Sequence, residues 1–136
     1  MSEEQNRQVV QNLFEAFGRG DIPALLGTLS ADVDWQIFGP DSVPYFGPHR
    51  GHDGVTDFFV KVGSNVEFEF LVPREFIAQG DKVVVLGDER GRVKSTRREF
   101  ENQWAMVFTL KEGKITRFRS YEDTSAVAGA FDPPEG

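Results

Sequence analysis

The sequence contains no cysteine. This absence excludes disulfide bonds, a catalytic thiol and zinc sites built on cysteine. Basic residues are also few, because 15 lysines and arginines stand against 22 aspartates and glutamates, which gives a net charge of −7 at pH 7. Binding to nucleic acid depends on clustered basic side chains that neutralise phosphates. We therefore expect no nucleic-acid partner.

Long apolar runs are missing as well. No stretch approaches the roughly 18 consecutive apolar residues of a membrane-spanning helix, so we expect no membrane association. Residues 1–5, MSEEQ, lack the basic start and apolar core of a secretory signal peptide. These features favour a cytoplasmic protein.

The 136 residues suffice for one domain with a substantial core, since 39% are hydrophobic and 13 are phenylalanine. We predict a single domain over residues 1–131. The final segment 132–136, DPPEG, is predicted to be a flexible tail.

Two repeating patterns predict the secondary structure. Apolar residues at Val10, Leu13, Phe14 and Phe17 have helical spacing, which indicates an amphipathic first helix. A short second helix is expected after the cap residue Asp21, and a third after Asp53.

The remainder of the chain is predicted to be mainly strand. A first strand covers residues 33–38, and a long loop follows over 39–51. From Val66 the pattern changes to period two, with further strands at about 82–93, 99–110 and 114–122 and a short helix at 124–130. Helices and strands are segregated along the chain, so the fold class is α+β.

Four segments in this order carry a family resemblance: 17–21 (FGRGD), 29–35 (LSADVDW), 51–55 (GHDGV) and 113–124 (GKITRFRSYEDT). The chain resembles the nuclear-transport-factor-2-like superfamily, in particular its SnoaL-like, ketosteroid-isomerase-related branch. The resemblance implies a curved antiparallel sheet wrapped around N-terminal helices, forming a cone-shaped barrel with an apolar pocket. It also implies a homodimer paired through the outer face of the sheet.

The activities of related enzymes can be compared with this sequence position by position. The three polar groups of ketosteroid isomerases align with Leu13, Phe38 and Ala105, so steroid isomerisation by that mechanism is not expected. Limonene epoxide hydrolases require an arginine and two acids, of which only Arg90 is matched, because Ser120 stands at the last acidic position. SnoaL-like polyketide cyclases carry an acid at the end of the last strand, where this chain has Asp123.

Asp123 is the predicted catalytic base. A carboxylate at the mouth of an aromatic pocket can acquire a raised pKa and accept a proton. The alternative interpretation is that Asp123 caps the helix that starts at Thr124.

Three further residues are candidates for holding a substrate oxygen. Tyr121 lies two residues before Asp123 and shares its face of a regular strand, or else packs on the sheet. Arg90 can bind a carbonyl or carboxylate, or belong to a charged surface with the Glu-rich strand at 66–70. His52 is a candidate for the pocket rim or for proton transfer. With His49 it makes a poor metal site, so no metal or other cofactor is expected.

The expected ligand is a small apolar or aromatic molecule. The predicted substrate-binding residues are Trp35, Phe38, Tyr45, Phe46, Phe58, Phe59, Trp104, Met106 and Phe118. The sequence thus favours a cofactor-free isomerase, cyclase or dehydratase that acts by acid–base chemistry. The alternative is a non-catalytic module for ligand binding or dimerisation.

Overall fold

A computed structural model describes residues 2–132 of the chain. Met1 and residues 133–136, which include most of the predicted flexible tail, lie outside the described part. The elements in chain order are α1 (Glu3–Gly18), α2 (Ile22–Leu26), β1 (Leu29–Ile37), β2 (Gly47–Arg50), α3 (Gly51–Asn65), β3 (Val66–Gln79), β4 (Lys82–Val93), β5 (Glu99–Lys111), β6 (Lys114–Glu122) and α4 (Thr124–Phe131).

The helices begin where their sequences provide capping groups, with one exception. Ser2 and Gln5 form a reciprocal capping box at the start of α1, and the Asp21 carboxylate caps α2. The prediction that Asp53 caps the third helix is wrong. Helix α3 begins at Gly51 without a side-chain cap, and Asp53 lies in its first turn.

The six strands form one open sheet in the order β2-β1-β6-β5-β4-β3. The expected α+β architecture is confirmed, but the sheet does not close into a barrel, because β2 and β3 lie at its two edges. It is also not wholly antiparallel, since β1 pairs with β6 in parallel. The connection between these two parallel strands runs through β2, helix α3 and the antiparallel strands β3 to β5.

The segment predicted as a loop at 39–51 is more ordered than expected. Its last part forms β2 and then enters α3, so the irregular backbone covers only 38–46. Within it Tyr45 and Phe46 are buried. At Gly39 a Cβ atom would lie 2.3 Å from Cδ2 of Phe46, so only glycine allows this ring to pack there.

One face of the sheet packs against the helices and forms the core. Its residues alternate along each strand, as on β4, where Val83, Val85 and Val93 are buried. Glu89 occupies the same face and is also buried, with 7% of its surface exposed. A charged residue type thus stands in an otherwise apolar inner row.

Candidate functional site

A cavity of about 70 Å³ lies between the helices and the inner face of the sheet. Fifteen of its seventeen lining residues are aromatic or aliphatic, and the other two are Glu89 and Glu122. The apolar wall consists of Leu13, Phe14, Phe17, Leu25, Trp35, Ile37, Tyr45, Phe58, Phe59, Val62, Phe68, Leu71, Met106, Phe108 and Phe118. Such a wall suits an apolar or aromatic ligand, and the two acids are the groups that can do chemistry on it.

The two acids are joined by one amide. Asn102 Nδ2 donates a hydrogen bond of 2.9 Å to Glu89 Oε1 and another of 2.9 Å to Glu122 Oε1. The hydroxyl of Ser120 donates to Glu122 Oε2 at 2.6 Å. The amide itself is oriented by the backbone N–H of Asp123, which donates to Asn102 Oδ1 at 2.9 Å. The result is a preorganised pair of carboxyl groups.

Strand pairing explains why these residues meet. Glu89 on β4 lies directly opposite Asn102 on β5, and Glu122 on β6 lies opposite Trp104, the next residue of β5 on the same face. Ser120 precedes Glu122 by two residues and therefore shares its face. The register of three neighbouring strands thus places all four polar side chains in one group.

Burial changes the ionisation of both acids. Desolvation, reinforced by the charge of Glu122, raises the pKa of Glu89 to about 8. Desolvation also raises the pKa of Glu122, but hydrogen bonds from Ser120 and Asn102 oppose this rise. A pKa of about 8 leaves Glu89 mainly protonated at neutral pH, whereas the hydrogen bonds to Glu122 favour its ionised form.

Tyr45 adds a third titratable group to the cavity wall. Burial, together with the charges of Glu89 and Glu122, raises the pKa of its phenol, so the hydroxyl stays protonated. Within residues 2–132 this hydroxyl forms no hydrogen bond, and it is not among the unpartnered polar atoms that are fully enclosed. His49 fixes the backbone here, because its Nε2 lies 3.1 Å from the Tyr45 carbonyl oxygen.

The structure brings six of the nine predicted substrate-binding residues into the cavity wall: Trp35, Tyr45, Phe58, Phe59, Met106 and Phe118. The other three lie elsewhere. Phe46 packs under Gly39, Trp104 stacks on Phe14 behind the wall, and Phe38 is 45% exposed.

The predicted catalytic base is placed outside the cavity wall. The side chain of Asp123 is exposed and accepts hydrogen bonds from Ala126 N at 3.3 Å and Ser125 Oγ at 3.1 Å. This is the helix-capping geometry that the sequence offered as the alternative. Strand alternation gives the reason, because residue 122, and not 121 or 123, continues the inner row of β6.

The three predicted oxygen-binding residues are likewise absent from the cavity wall. Tyr121 is 53% exposed on the outer face and stacks on Phe38. Arg90 lies on the outer face of β4 and pairs with Glu69 and Glu101. His52 lies at the start of α3, where its Nε2 is 3.1 Å from the Leu29 carbonyl oxygen.

Glu89, Asn102 and Glu122 are not among the site residues predicted from the sequence. A signal was present in the inner row of β4, where apolar and small residues at 83, 85, 87, 91 and 93 surround a single acid at 89. Asn102 shows the same pattern between Phe100 and Trp104 on β5. A single polar residue within an otherwise apolar, inward-facing row of a strand is therefore the sequence signal that could have identified this site.

Residues 2–132 form neither a metal-binding cluster nor a membrane-spanning helix. No group of three or more histidine, aspartate or glutamate side chains in this part of the chain is arranged to hold a metal ion. Within the same range, no helix combines the length and the hydrophobicity needed to span a bilayer.

Comparison with known proteins extends these observations. The chain is similar to an NTF2-like protein from Burkholderia xenovorans, with 42% identity, coverage of 97% of this chain and 99% of that one, and a TM-score of 0.89. It is also similar to TerC co-crystallised with polyporic acid, at 27% identity, 93% and 98% coverage and a TM-score of 0.83. An uncharacterised protein of Mycobacterium tuberculosis is 23% identical over 131 residues, which cover 96% of this chain and 98% of that one.

A family model for the SnoaL-like domain matches residues 10–118. The matched segment contains α2, α3, most of α1, most of the sheet and Glu89, and it ends just before Ser120 and Glu122. This match and the NTF2-like structural neighbours agree with the observed architecture of helices held against one face of a curved sheet. The chain therefore belongs to the SnoaL-like domain family of the NTF2-like superfamily.

Proposed function

We propose that this protein is a cofactor-independent enzyme that transfers protons next to a carbonyl group of a small apolar or aromatic substrate. The net reaction is an isomerisation, cyclisation or dehydration. One observation carries this proposal: two carboxyl groups share a single amide donor inside a cavity that is otherwise apolar.

The two acids have different roles in this reaction. Glu122 is the general base, because the hydrogen bonds from Ser120 and Asn102 favour its ionised form. It takes a proton from the carbon next to the carbonyl, and the C–H electron pair forms the C=C bond of an enol. Glu89 is the general acid, since its pKa of about 8 leaves it protonated at neutral pH. It gives its proton to the carbonyl oxygen.

Return of the proton to a different carbon completes an isomerisation. The two carboxyl groups exchange protonation states in the first half of the reaction and regain them in the second, so no oxidant or reductant is needed. Tyr45 assists by donating its unpartnered hydroxyl to the oxygen on which negative charge develops. The aromatic wall holds the substrate and excludes water, which strengthens these electrostatic interactions.

Similarity to TerC supports the small-molecule part of the proposal, since that protein was co-crystallised with polyporic acid. Structural neighbours described as isomerases and as a SnoaL-like polyketide cyclase share the fold at 16–20% identity. At this level of identity they support the fold of this chain and not its chemistry.

The test uses 2-tetralone, a small aromatic ketone with exchangeable protons beside its carbonyl. Proton NMR in D₂O measures how fast these protons exchange with and without the protein. We expect acceleration by the wild type, a loss of about 10²–10⁴-fold in Glu122→Gln, and a loss of about 10²-fold in Glu89→Gln. Asp88→Asn is the matched control, because Asp88 is adjacent in sequence but bonds Arg74 on the outer face.

Asp123→Asn separates this assignment from the base predicted by the sequence. If Asp123 is the base, that variant loses the exchange activity while Glu122→Gln retains it. Binding of 2-tetralone without any accelerated exchange would contradict the enzymatic proposal and favour a non-catalytic ligand-binding module.

A further inference from the structure

Among residues 2–132, the two cavity acids have no counter-ion. None of the ion pairs formed among residues 2–132 involves Glu89 or Glu122. The cavity wall likewise contains no lysine, arginine or histidine among its described residues. Burying acids in an apolar cavity is costly, and within the described residues the compensating hydrogen bonds come from the amide of Asn102 and the hydroxyl of Ser120.

The geometry of the pair already suits a nitrogen donor. Both Oε1 atoms lie 2.9 Å from the same nitrogen of Asn102, so these two oxygens are less than about 6 Å apart. The cavity also offers oxygen atoms that can still accept hydrogen bonds from a ligand. Within the described part of the chain, Glu89 Oε2 and the Tyr45 hydroxyl form no hydrogen bond, both residues line the cavity, and neither atom is among the unpartnered polar atoms that are fully enclosed.

The rest of the wall suits the hydrocarbon part of a cation. Aromatic faces attract organic cations, and the attraction grows when water is excluded. The ring centroids of Trp35 and Phe58 lie 5.7 Å apart, and those of Phe58 and Phe59 lie 5.0 Å apart. The ring of Tyr45 packs edge-on against that of Phe58. An aromatic enclosure beside an uncompensated acidic pair combines the two features that recognise an ammonium group.

We propose that this cavity binds small protonated amines, with the ammonium nitrogen between Glu89 and Glu122 and the hydrocarbon part against the aromatic wall. The amine supplies the missing counter-ion, and its N–H groups donate to the free carboxyl oxygen and the Tyr45 hydroxyl. This ligand class follows from charge balance and does not require that the protein be an enzyme.

The test compares three ligands of similar shape and different charge: 2-phenylethylamine, which is protonated at neutral pH, neutral 2-phenylethanol and anionic phenylacetate. Isothermal titration calorimetry at pH 7 should show that the amine binds at least tenfold more tightly than the alcohol, and that phenylacetate binds most weakly. Binding of the ammonium group favours ionised Glu89. Titrations in two buffers of different ionisation enthalpy should therefore show that amine binding releases a proton from Glu89. The other titratable groups at the site are Glu122 and Tyr45.

Variants link this preference to the acidic pair. Glu89→Gln and Glu122→Gln should each weaken amine binding at least tenfold while changing alcohol binding less than threefold. Asp88→Asn should change neither affinity. Equal affinities for the amine and the alcohol, no amine binding at millimolar concentration, or an amine preference that survives both glutamate substitutions would overturn the proposal.

The outcome is independent of the ketone experiment. Exchange of 2-tetralone that depends on Glu122, without amine binding, would refute only the cation site. Amine binding that depends on both glutamates, without ketone exchange, would refute only the enzymatic proposal. If both proposals hold, 2-phenylethylamine should inhibit the exchange competitively.

Discussion

Replacing Glu89 with glutamine should stabilise the protein at alkaline pH. The substitution keeps the size of the side chain and its acceptor for Asn102, but it removes a carboxyl group that must ionise inside an apolar cavity. Burial and Glu122 raise the pKa of Glu89 in the folded chain from 4.5 to about 8. The folded state therefore binds a proton that the unfolded state has released between these two pH values.

The sign and size of the effect follow from proton linkage. Because the folded pKa is the higher one, this contribution is fully present below about pH 4.5 and is lost as the pH rises through 8. Each pKa unit corresponds to about 1.4 kcal/mol, so the loss reaches up to about 5 kcal/mol at pH 9. That is a large share of the roughly 5–15 kcal/mol that stabilises a typical domain.

Urea unfolding at pH 5, 7 and 9 measures this effect. We expect the free energy of unfolding of the wild type to fall across this range, and that of Glu89→Gln to fall much less. The two proteins should differ by less than about 1 kcal/mol at pH 5 and by several at pH 9. Asp88→Asn should retain the wild-type pH dependence, since it loses only an exposed ion pair. Parallel curves for the wild type and Glu89→Gln would refute the reasoning.

Substitutions at three other positions test separate parts of the structure. Gly39→Ala should lower stability by about 1–3 kcal/mol in thermal melts, because its Cβ would clash with Phe46; an unchanged melting temperature would contradict that packing. Asp123→Ala should cost about 1 kcal/mol through loss of the cap on Ala126, whereas Asp123→Asn should cost only a few tenths; equal losses would argue against capping. We also expect a homodimer formed through the outer face of the sheet, so Tyr121→Asp should shift sedimentation toward a single-chain mass, and a monomeric wild type at micromolar concentration would contradict this.

Local patterns in the sequence were sufficient to predict most of the fold. The alternation of apolar and polar residues, together with the turn residues, predicts the later strands accurately. The predicted strands 82–93 and 114–122 coincide with β4 and β6. The first strand was predicted too short because residues 29–32 have little β-branched character. Their pairing is decided by tertiary contacts, such as that of Leu29 with Ile115. Strand β2 was missed because its sequence, GPHR, acquires strand geometry only by pairing with β1.

The candidate site was harder to predict because it depends on register across three strands. Apolar and aromatic residues identified much of the cavity wall, since hydrophobic side chains collect in the interior whatever the exact pairing. Whether Glu122 or Asp123 faces the cavity could not be predicted in this way, because a shift of one residue exchanges the inner and outer faces of a strand. Asn102 joins two acids that are 33 residues apart in sequence, and no short sequence motif predicts that contact.

Whether Glu89 and Glu122 titrate as a coupled pair can be measured by NMR titration of the glutamate side-chain carboxyl carbons, labelled with ¹³C and assigned with Glu89→Gln and Glu122→Gln. We expect Glu89 to remain protonated at pH 7 and to titrate near pH 8, and the pKa of Glu122 to lie above the ordinary glutamate value. We also expect Glu122→Gln to lower the pKa of Glu89, because the neighbouring charge is removed. Titration of both carboxyl groups near pH 4.5, each unaffected by substitution of the other, would contradict the claim that they form a coupled acid–base pair.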